Sequence, residues 1–296
     1  AGLGFANAPA HGADILILDE PTAALNETDS DNLLHLIRGL KEQGVTCILI
    51  SHKLREVLEI ADTITVLRDG KTVTTLNVEE DKVNEPVLIK HMVGRSIDNI
   101  FPKREKVNIG EEVLRLEDWS AFSYALGRDI LKDVNISVRA GEIVGIAGLM
   151  GSGRTELAKS IFGNPDRYRL SGKVFIRGKE QRFHNPHDAI RSSMAYVTED
   201  RKGNGLILID DVKHNISLAN LKEITSSGVI NENEEILIAH KYRTELNIKT
   251  PSIQQKVRNL SGGNQQKVSL GKWLFVKPGI MVLDEPTRGI DVGAKY

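Results

Sequence analysis

Two stretches of this chain nearly repeat each other: residues 15–22 read ILILDEPT and residues 280–287 read IMVLDEPT, 265 residues apart. One apolar run ending in Asp-Glu-Pro is common. A second copy at that distance, identical over five consecutive letters, points to a duplicated domain, which the length of 296 residues allows. Each run is short and built of Ile, Leu and Val or Met, the composition of a buried strand. Such a strand carries its Asp to the tip of a sheet. Asp19 and Asp284 are therefore candidates to hold a magnesium ion, and Glu20 and Glu285 to polarise a water for attack on a terminal phosphate. The plainer alternative is two acidic strand ends followed by a turn-forming proline.

A phosphate-binding loop is the natural companion of such a strand, and residues 146–157, IAGLMGSGRTEL, come close to one. The pattern is Gly, four residues, Gly, Lys, then Ser or Thr. Gly148, Gly153 and Thr155 fit, and Arg154 stands where Lys belongs. The flanks agree: EIVGIAGL at 142–149 reads as a buried strand, and TELAKSIFG places Leu157, Ala158, Ile161 and Phe162 on one helix face before Gly163. Gly151 and Gly153, on either side of Ser152, permit backbone angles at which successive amides converge on an anion at the positive end of the helix. Thr155 would hold the magnesium. Alternatively, the loop is a glycine turn in some other doubly wound sheet.

Residues 260–274, LSGGNQQKVSLGKWL, add a second helix start of this kind, in which Ser261, Gly262, Gly263 and Gln265 precede or open a stretch carrying Val268, Leu270 and Leu274. One domain does not need two such starts for one nucleotide, so the second is expected to cap a nucleotide held by another domain.

The charge balance, 39 Lys plus Arg against 40 Asp plus Glu, leaves a net charge of -1 and no field that would draw nucleic acid or anionic lipid. The single cysteine, Cys47, rules out a disulfide within the chain and reads as a packing thiol in a reducing compartment. No apolar stretch approaches the ~18 residues of a bilayer span, and the first residues lack the pattern of a signal peptide.

With these motifs in order, the chain resembles the nucleotide-binding domains of ATP-binding-cassette proteins. The variant GLMGSGRTE, TEDRKGNGL at 198–206 and DEPTRGIDVGAK at 284–295 narrow the resemblance to the ATPase subunit of bacterial monosaccharide importers of the ribose, galactose and xylose type. It covers all but AGLGFANAPAHG at 1–12. The resemblance implies an α/β P-loop NTPase fold of the cassette type, a mixed sheet with a helical subdomain. It also implies ATP and Mg2+ as cofactors, permease subunits and a sugar-binding protein as partners, and a place on the inner face of the cell membrane. It makes His52, at the end of VTCILISH, the switch histidine that contacts the terminal phosphate, although a lone His after a strand is more often just packed or exposed. Glu199 takes the position of the usual glutamine before the coupling loop, where its carboxylate can reach magnesium or simply sit in a solvated turn. Asn26 stands where the family usually has Asp and receives no role.

On this reading residues 1–85 are the last part of a first domain, from acidic strand to histidine. Residues 86–112 are a linker with a charged cluster at Lys103–Lys106, and 113–296 are a second domain. No room for a phosphate loop precedes residue 15, and the interval from Asp19 to His52, repeated from Asp284, runs past Tyr296, so the chain is expected to be an internal fragment prone to self-association. Among the alternating strands of 113–141, Trp119, Phe122 and Tyr124 are the aromatic candidates to stack on adenine.

Arg154 decides how active such a site can be. Lysine is a compact point charge and arginine a larger planar fork, and misplacing one transition-state contact costs ~10² or more in rate. The expectation is a site that binds nucleotide with weak or absent turnover. The resemblance would pair Glu20 with Ser261 in the competent site, and Arg154 with Glu285 in the degenerate one. The alternatives are a regulatory nucleotide-binding module that never hydrolyses, and a tandem cassette protein acting on ribosomes or nucleic acid.

Overall fold

The computed structural model of the chain describes residues 14–22, 25–68, 70–94, 108–149 and 151–287. Residues 1–12, the Lys103–Lys106 cluster and the segment from residue 288 onward, all named above, lie outside the described residues. The chain divides into two compact units, residues 1–102 with 291–296, and residues 103–290.

The first unit opens with a βαβ element. Strand β1 (Ile15–Asp19) leads into helix α1 (Glu27–Glu42) and strand β2 (Thr46–Ile50), and the two strands pair in parallel from Ile15 opposite Thr46 to Asp19 opposite Ile50. Asn26 caps α1, its side chain accepting from the Asp29 amide at 2.8 Å, which is work enough for a residue that received no functional role. Leu34 and Ile37 of α1 pack on Leu18, with Leu16, Cys47 and Leu49 beside them, so the thiol is half-buried and burial pushes its pKa up. The expectation of a buried first strand holds for one face only. Ile15, Ile17, Ile48 and Ile50 point the other way and are about half or more exposed, because successive side chains alternate and α1 covers a single face.

Next come helix α2 (Leu54–Ile60), the antiparallel hairpin of β3 (Thr63–Arg68) and β4 (Lys71–Asn77), and helix α3 (Glu85–Val93). Their shared core is Leu54, Ile64, Val66, Leu88 and Ile89. Helix α3 corrects the linker boundary, since residues 86–93 are helical and packed. Its marks are caps rather than periodicity: Asn84 accepts from the Val87 amide, Pro86 sits in the first turn, and Gly94 ends the helix in the left-handed region.

The second unit begins with two long antiparallel strands, β5 (Glu112–Ser123) and β6 (Arg128–Arg139). Helix α4 (Arg154–Ile161) follows, then β7 (Arg169–Ile176), β8 (Lys179–Gln181), helix α5 (Pro186–Arg191) and β9 (Met194–Val197). Strands β6, β5, β7 and β8 form one sheet in that order. The remaining elements are helix α6 (Val212–Ser217), the small hairpin β10 (Thr225–Ser226) and β11 (Val229–Ile230), helices α7 (Glu232–Glu245) and α8 (Gly262–Phe275), and β12 (Ile280–Leu283). β12 pairs in parallel with β9, Ile280 opposite Met194 through Leu283 opposite Val197. One core joins the antiparallel sheet, α4 and β9; a second, centred on Val212, Ile216, Val257 and Val268, joins the helices. The expected helical layer is present, but among the described residues the strands form separate antiparallel and parallel sheets rather than one mixed sheet.

The strand expected at 142–149 is absent. Those residues pair with no neighbouring strand among the described residues, and Ile143, Val144, Ile146 and Leu149 are exposed. A strand exists only as a ladder, and an apolar run alone does not make one. In the first unit the acidic strand β1 pairs with β2, whereas among the described residues β12 has only β9 beside it.

Candidate functional site

Helix α4 begins where the sequence places the phosphate loop. Gly151 and Gly153 both have positive φ, 78° and 93°, and Gly153 is the residue from which the helix starts. A Cβ on Gly153 would come within 2.9 Å of the Ile130 carbonyl oxygen and of the Leu131 side chain, so glycine is required there by close approach as well as by φ. Gly148 lies against Ser152, where a Cβ would meet the hydroxyl. Trp119, buried on β5, donates its indole N–H to the Ser160 hydroxyl at 2.9 Å and so ties α4 to the sheet; burial removes it from the adenine candidates. Tyr124 is well exposed and meets Phe122 edge to face.

The first two residues of α4 each meet a carboxylate. The Arg154 guanidinium lies 2.9 Å from Glu285 Oε1, and the Thr155 hydroxyl donates to Glu199 Oε2 at 3.2 Å. Both carboxylates come from just beyond the same end of two parallel strands. The Asp284 amide prolongs the β9–β12 ladder by donating to the Val197 carbonyl, and Glu199 follows two residues after Val197. Asp284 is buried and accepts from the Tyr196 hydroxyl at 3.0 Å. Burial first, and then the facing Asp284 charge, push the Tyr196 phenol above its ordinary pKa, so it stays a donor to the carboxylate. Thr155, Glu199 and Asp284 supply only hard oxygen atoms, a donor chemistry that suits magnesium. The one group of three potential metal-ligating His, Cys, Asp or Glu side chains among the described residues lies elsewhere. It comprises Asp210, Asp211 and His214 at the start of α6, where His214 Nδ1 is 2.9 Å from Asp210.

The first unit gathers a different pair. Glu20 Oε1 accepts from the His52 amide at 3.1 Å and lies 2.7 Å from the His52 ring Nδ1, while Glu20 Oε2 is buried with no hydrogen-bond partner. Asp19 is exposed at the end of β1. Thr22 of the same motif is fully buried and bonded to Glu56, and the Lys53 amine reaches the Thr22 carbonyl, which fixes the turn after the strand. Glu20 and Glu285 share an unusual backbone, with φ of 44° and 43°, in the region that long side chains avoid. The duplication thus extends to conformation.

Ser261 is exposed just before α8, and its hydroxyl accepts from Asn264 Nδ2 at 2.9 Å. Gly262 and Gly263 open the helix. Gln265 departs from its expected place, since it is buried and its amide donates to the Val257 and Leu260 carbonyls, latching the segment before the helix. Two residues escaped the motifs. One is Tyr196, whose position opposite Val282 in the ladder brings it to Asp284. The other is Lys272, buried on α8, with its amine donating to the Gly205 carbonyl at 2.5 Å in the π-helical turn Arg201–Gly205. Lys272 stands four residues after the buried Val268, so helical spacing alone puts it on the inner face.

Residues 131–288 match the family described as ABC transporter. The chain is 52% identical over 293 residues to the L-arabinose transport ATP-binding protein AraG of Geobacillus stearothermophilus and 50% identical to the xylose import ATP-binding protein XylG of Thermoanaerobacter pseudethanolicus. It is 47% identical to the ribose import ATP-binding protein RbsA 3 of Rubrobacter xylanophilus. Almost all of this chain, 98–99%, is covered in these alignments, and it spans 56–57% of the relatives' length. Among solved structures, a nucleotide-free ATP-binding cassette from an ABC transporter superposes with a TM-score of 0.51 at 25% identity, covering 62% of this chain and 72% of that one.

Proposed function

This chain belongs to the ABC transporter family, and from that premise we propose that it is part of an ATP-binding subunit that powers import of a monosaccharide. The observation that carries the proposal is the cluster at the start of α4, where Arg154, Thr155, Glu199 and Glu285 meet beside Asp284. Loop amides freed by Gly151 and Gly153, with Gly148 and Ser152 packed behind them, would hold the phosphates at the positive end of the helix. Tyr124 offers an open aromatic face for the adenine. Thr155, Asp284 and Glu199 would hold Mg2+, which when bound neutralises charge on the outer phosphates. Asp19 is the corresponding magnesium candidate of the first copy.

The faster hydrolysis is assigned to the first copy's chemistry, and the second copy, with Glu285 as its base, keeps weak turnover that Arg154 limits. Glu20, oriented by His52 through one oxygen, would be the group that accepts a proton from a water. Ser261, Gly262 and Gly263 would close on a nucleotide held by another cassette. Permease subunits, a sugar-binding protein and attachment at the inner face of the membrane complete the proposal. They rest on the names of the relatives, which concern arabinose, xylose and ribose. No helix among the described residues is long and apolar enough to cross a membrane.

The test is calorimetric titration with magnesium and ATP, with phosphate release followed in the same samples, on the chain and on Arg154→Lys. Binding by both, with release raised in the Lys variant, is the expected result; failure of both folded proteins to bind would overturn it. A second reading, a module that binds nucleotide without turning it over, is favoured by the engagement of Arg154 with Glu285. It predicts binding with no phosphate release from either protein.

A further inference from the structure

Resting on the proposal that α4 receives nucleotide, we infer that the Arg154–Glu285 pair is a latch built into the site, which a nucleotide must displace in order to bind. Arg154 has one guanidinium. Glu285 holds one of its N–H groups at 2.9 Å, and the phosphates of ATP would compete with the carboxylate for that group. The neighbouring Thr155 hydroxyl is engaged by Glu199, so two carboxylates of the chain stand against the first two residues of the helix that attracts anions.

The two copies of the Asp-Glu-Pro-Thr motif explain why the latch forms here. Both glutamates leave their strands with nearly the same positive φ, 44° and 43°. In the first unit Glu20 meets His52; in the second Glu285 meets Arg154. Arginine carries its charge farther from the backbone than lysine and in a planar fork that matches a carboxylate. The substitution that weakens the loop for phosphate transfer therefore also gives it a partner within the chain. While the pair stands, Glu285 Oε1 is committed to the guanidinium, and Arg154 directs at least one N–H away from phosphate.

The pair is about one-third to two-fifths exposed, at 32% and 42% for the two side chains, so solvent screens it and the latch is weak. An exposed ion pair of this kind changes an equilibrium by ~2- to 5-fold, less at high salt. Removing the carboxylate also removes plain repulsion of ATP, so a single variant does not isolate the latch.

A double-mutant cycle separates the two effects. ATP affinity is measured calorimetrically at low salt for the chain, Glu285→Gln, Arg154→Met and the double variant, with circular dichroism confirming that all four are folded. Relief of repulsion acts in both backgrounds, whereas release of the latch acts only where Arg154 is present. The expected result is a gain from Glu285→Gln that is ~2- to 5-fold larger with Arg154 in place than in the Arg154→Met background, shrinking as salt is raised. Equal gains in the two backgrounds overturn the latch while leaving nucleotide binding intact. If all four folded proteins fail to bind ATP, the nucleotide proposal falls and the latch falls with it. Should the Gln variant unfold, Glu285→Asp, one methylene too short for the contact, takes its place in the same cycle.

Discussion

The parent chain is expected to gain stability between pH 7 and pH 9.5, and replacing Lys272 with methionine to abolish that gain. Lys272 is 7% exposed, and burial lowers its pKa to about 8. At pH 7 the amine is charged in both the folded and the unfolded chain, and holding that charge inside costs the fold. As the pH passes about 8 the folded chain releases a proton that the unfolded chain keeps until about 10.4, so the unfolded state binds more protons and stability climbs. At about 1.4 kcal/mol per pH unit the Lys272 contribution up to pH 9.5 comes to about 2 kcal/mol, partly offset in both proteins by the Cys47 thiol, whose raised pKa lets the unfolded chain ionise first. The window closes there because burial raises the Tyr168 and Tyr196 phenols above their ordinary pKa; the unfolded chain ionises first and stability falls above about 10. Methionine has similar length and no charge, but it leaves the Gly205 carbonyl without its donor, a cost of about 1–3 kcal/mol that does not depend on pH. Urea unfolding of both proteins at pH 7, 8, 9 and 9.5 gives the two slopes. A methionine variant that climbs by the same amount as the parent would refute the assignment of the proton to Lys272.

Tyr196→Phe removes the hydroxyl that donates to the buried Asp284, and a loss of about 1–3 kcal/mol in denaturant unfolding is expected; unchanged stability would mean that the bond contributes nothing. Gly163→Ala should lower the melting temperature well beyond Gly228→Ala. Both residues have φ near 80°, but an alanine Cβ at 163 would lie 2.1 Å from the Asn185 carbonyl carbon, whereas nothing lies within 4 Å at 228. Equal shifts would show that backbone strain alone sets the cost.

Much of the site was legible in the sequence because its parts are local. Gly151 and Gly153 announce the left-handed angles that they adopt, and the apolar face of Leu157, Ala158 and Ile161 announces α4. The repeated Asp-Glu-Pro-Thr placed Glu20 and Glu285 at strand ends, and the same positive φ in both copies reflects identical local chemistry. Helix α3 escaped because nine residues show too little periodicity, and its signal lay in Asn84, Pro86 and Gly94.

The sequence by itself determined the motifs, their order and the family they imply, since each motif is a run of neighbours whose backbone preferences act over a few residues. Which side chains meet was decided only by the tertiary structure. Arg154 and Glu285 are 131 positions apart, and Tyr196 and Asp284 are 88 apart. They come together because β12 adds to β9 in one register, and no local preference encodes that register. The same reason accounts for the misread segment 142–149, where Ile143, Val144 and Ile146 are apolar enough for a strand. A strand is completed by a partner, and the ladder, not the composition, supplies its hydrogen bonds.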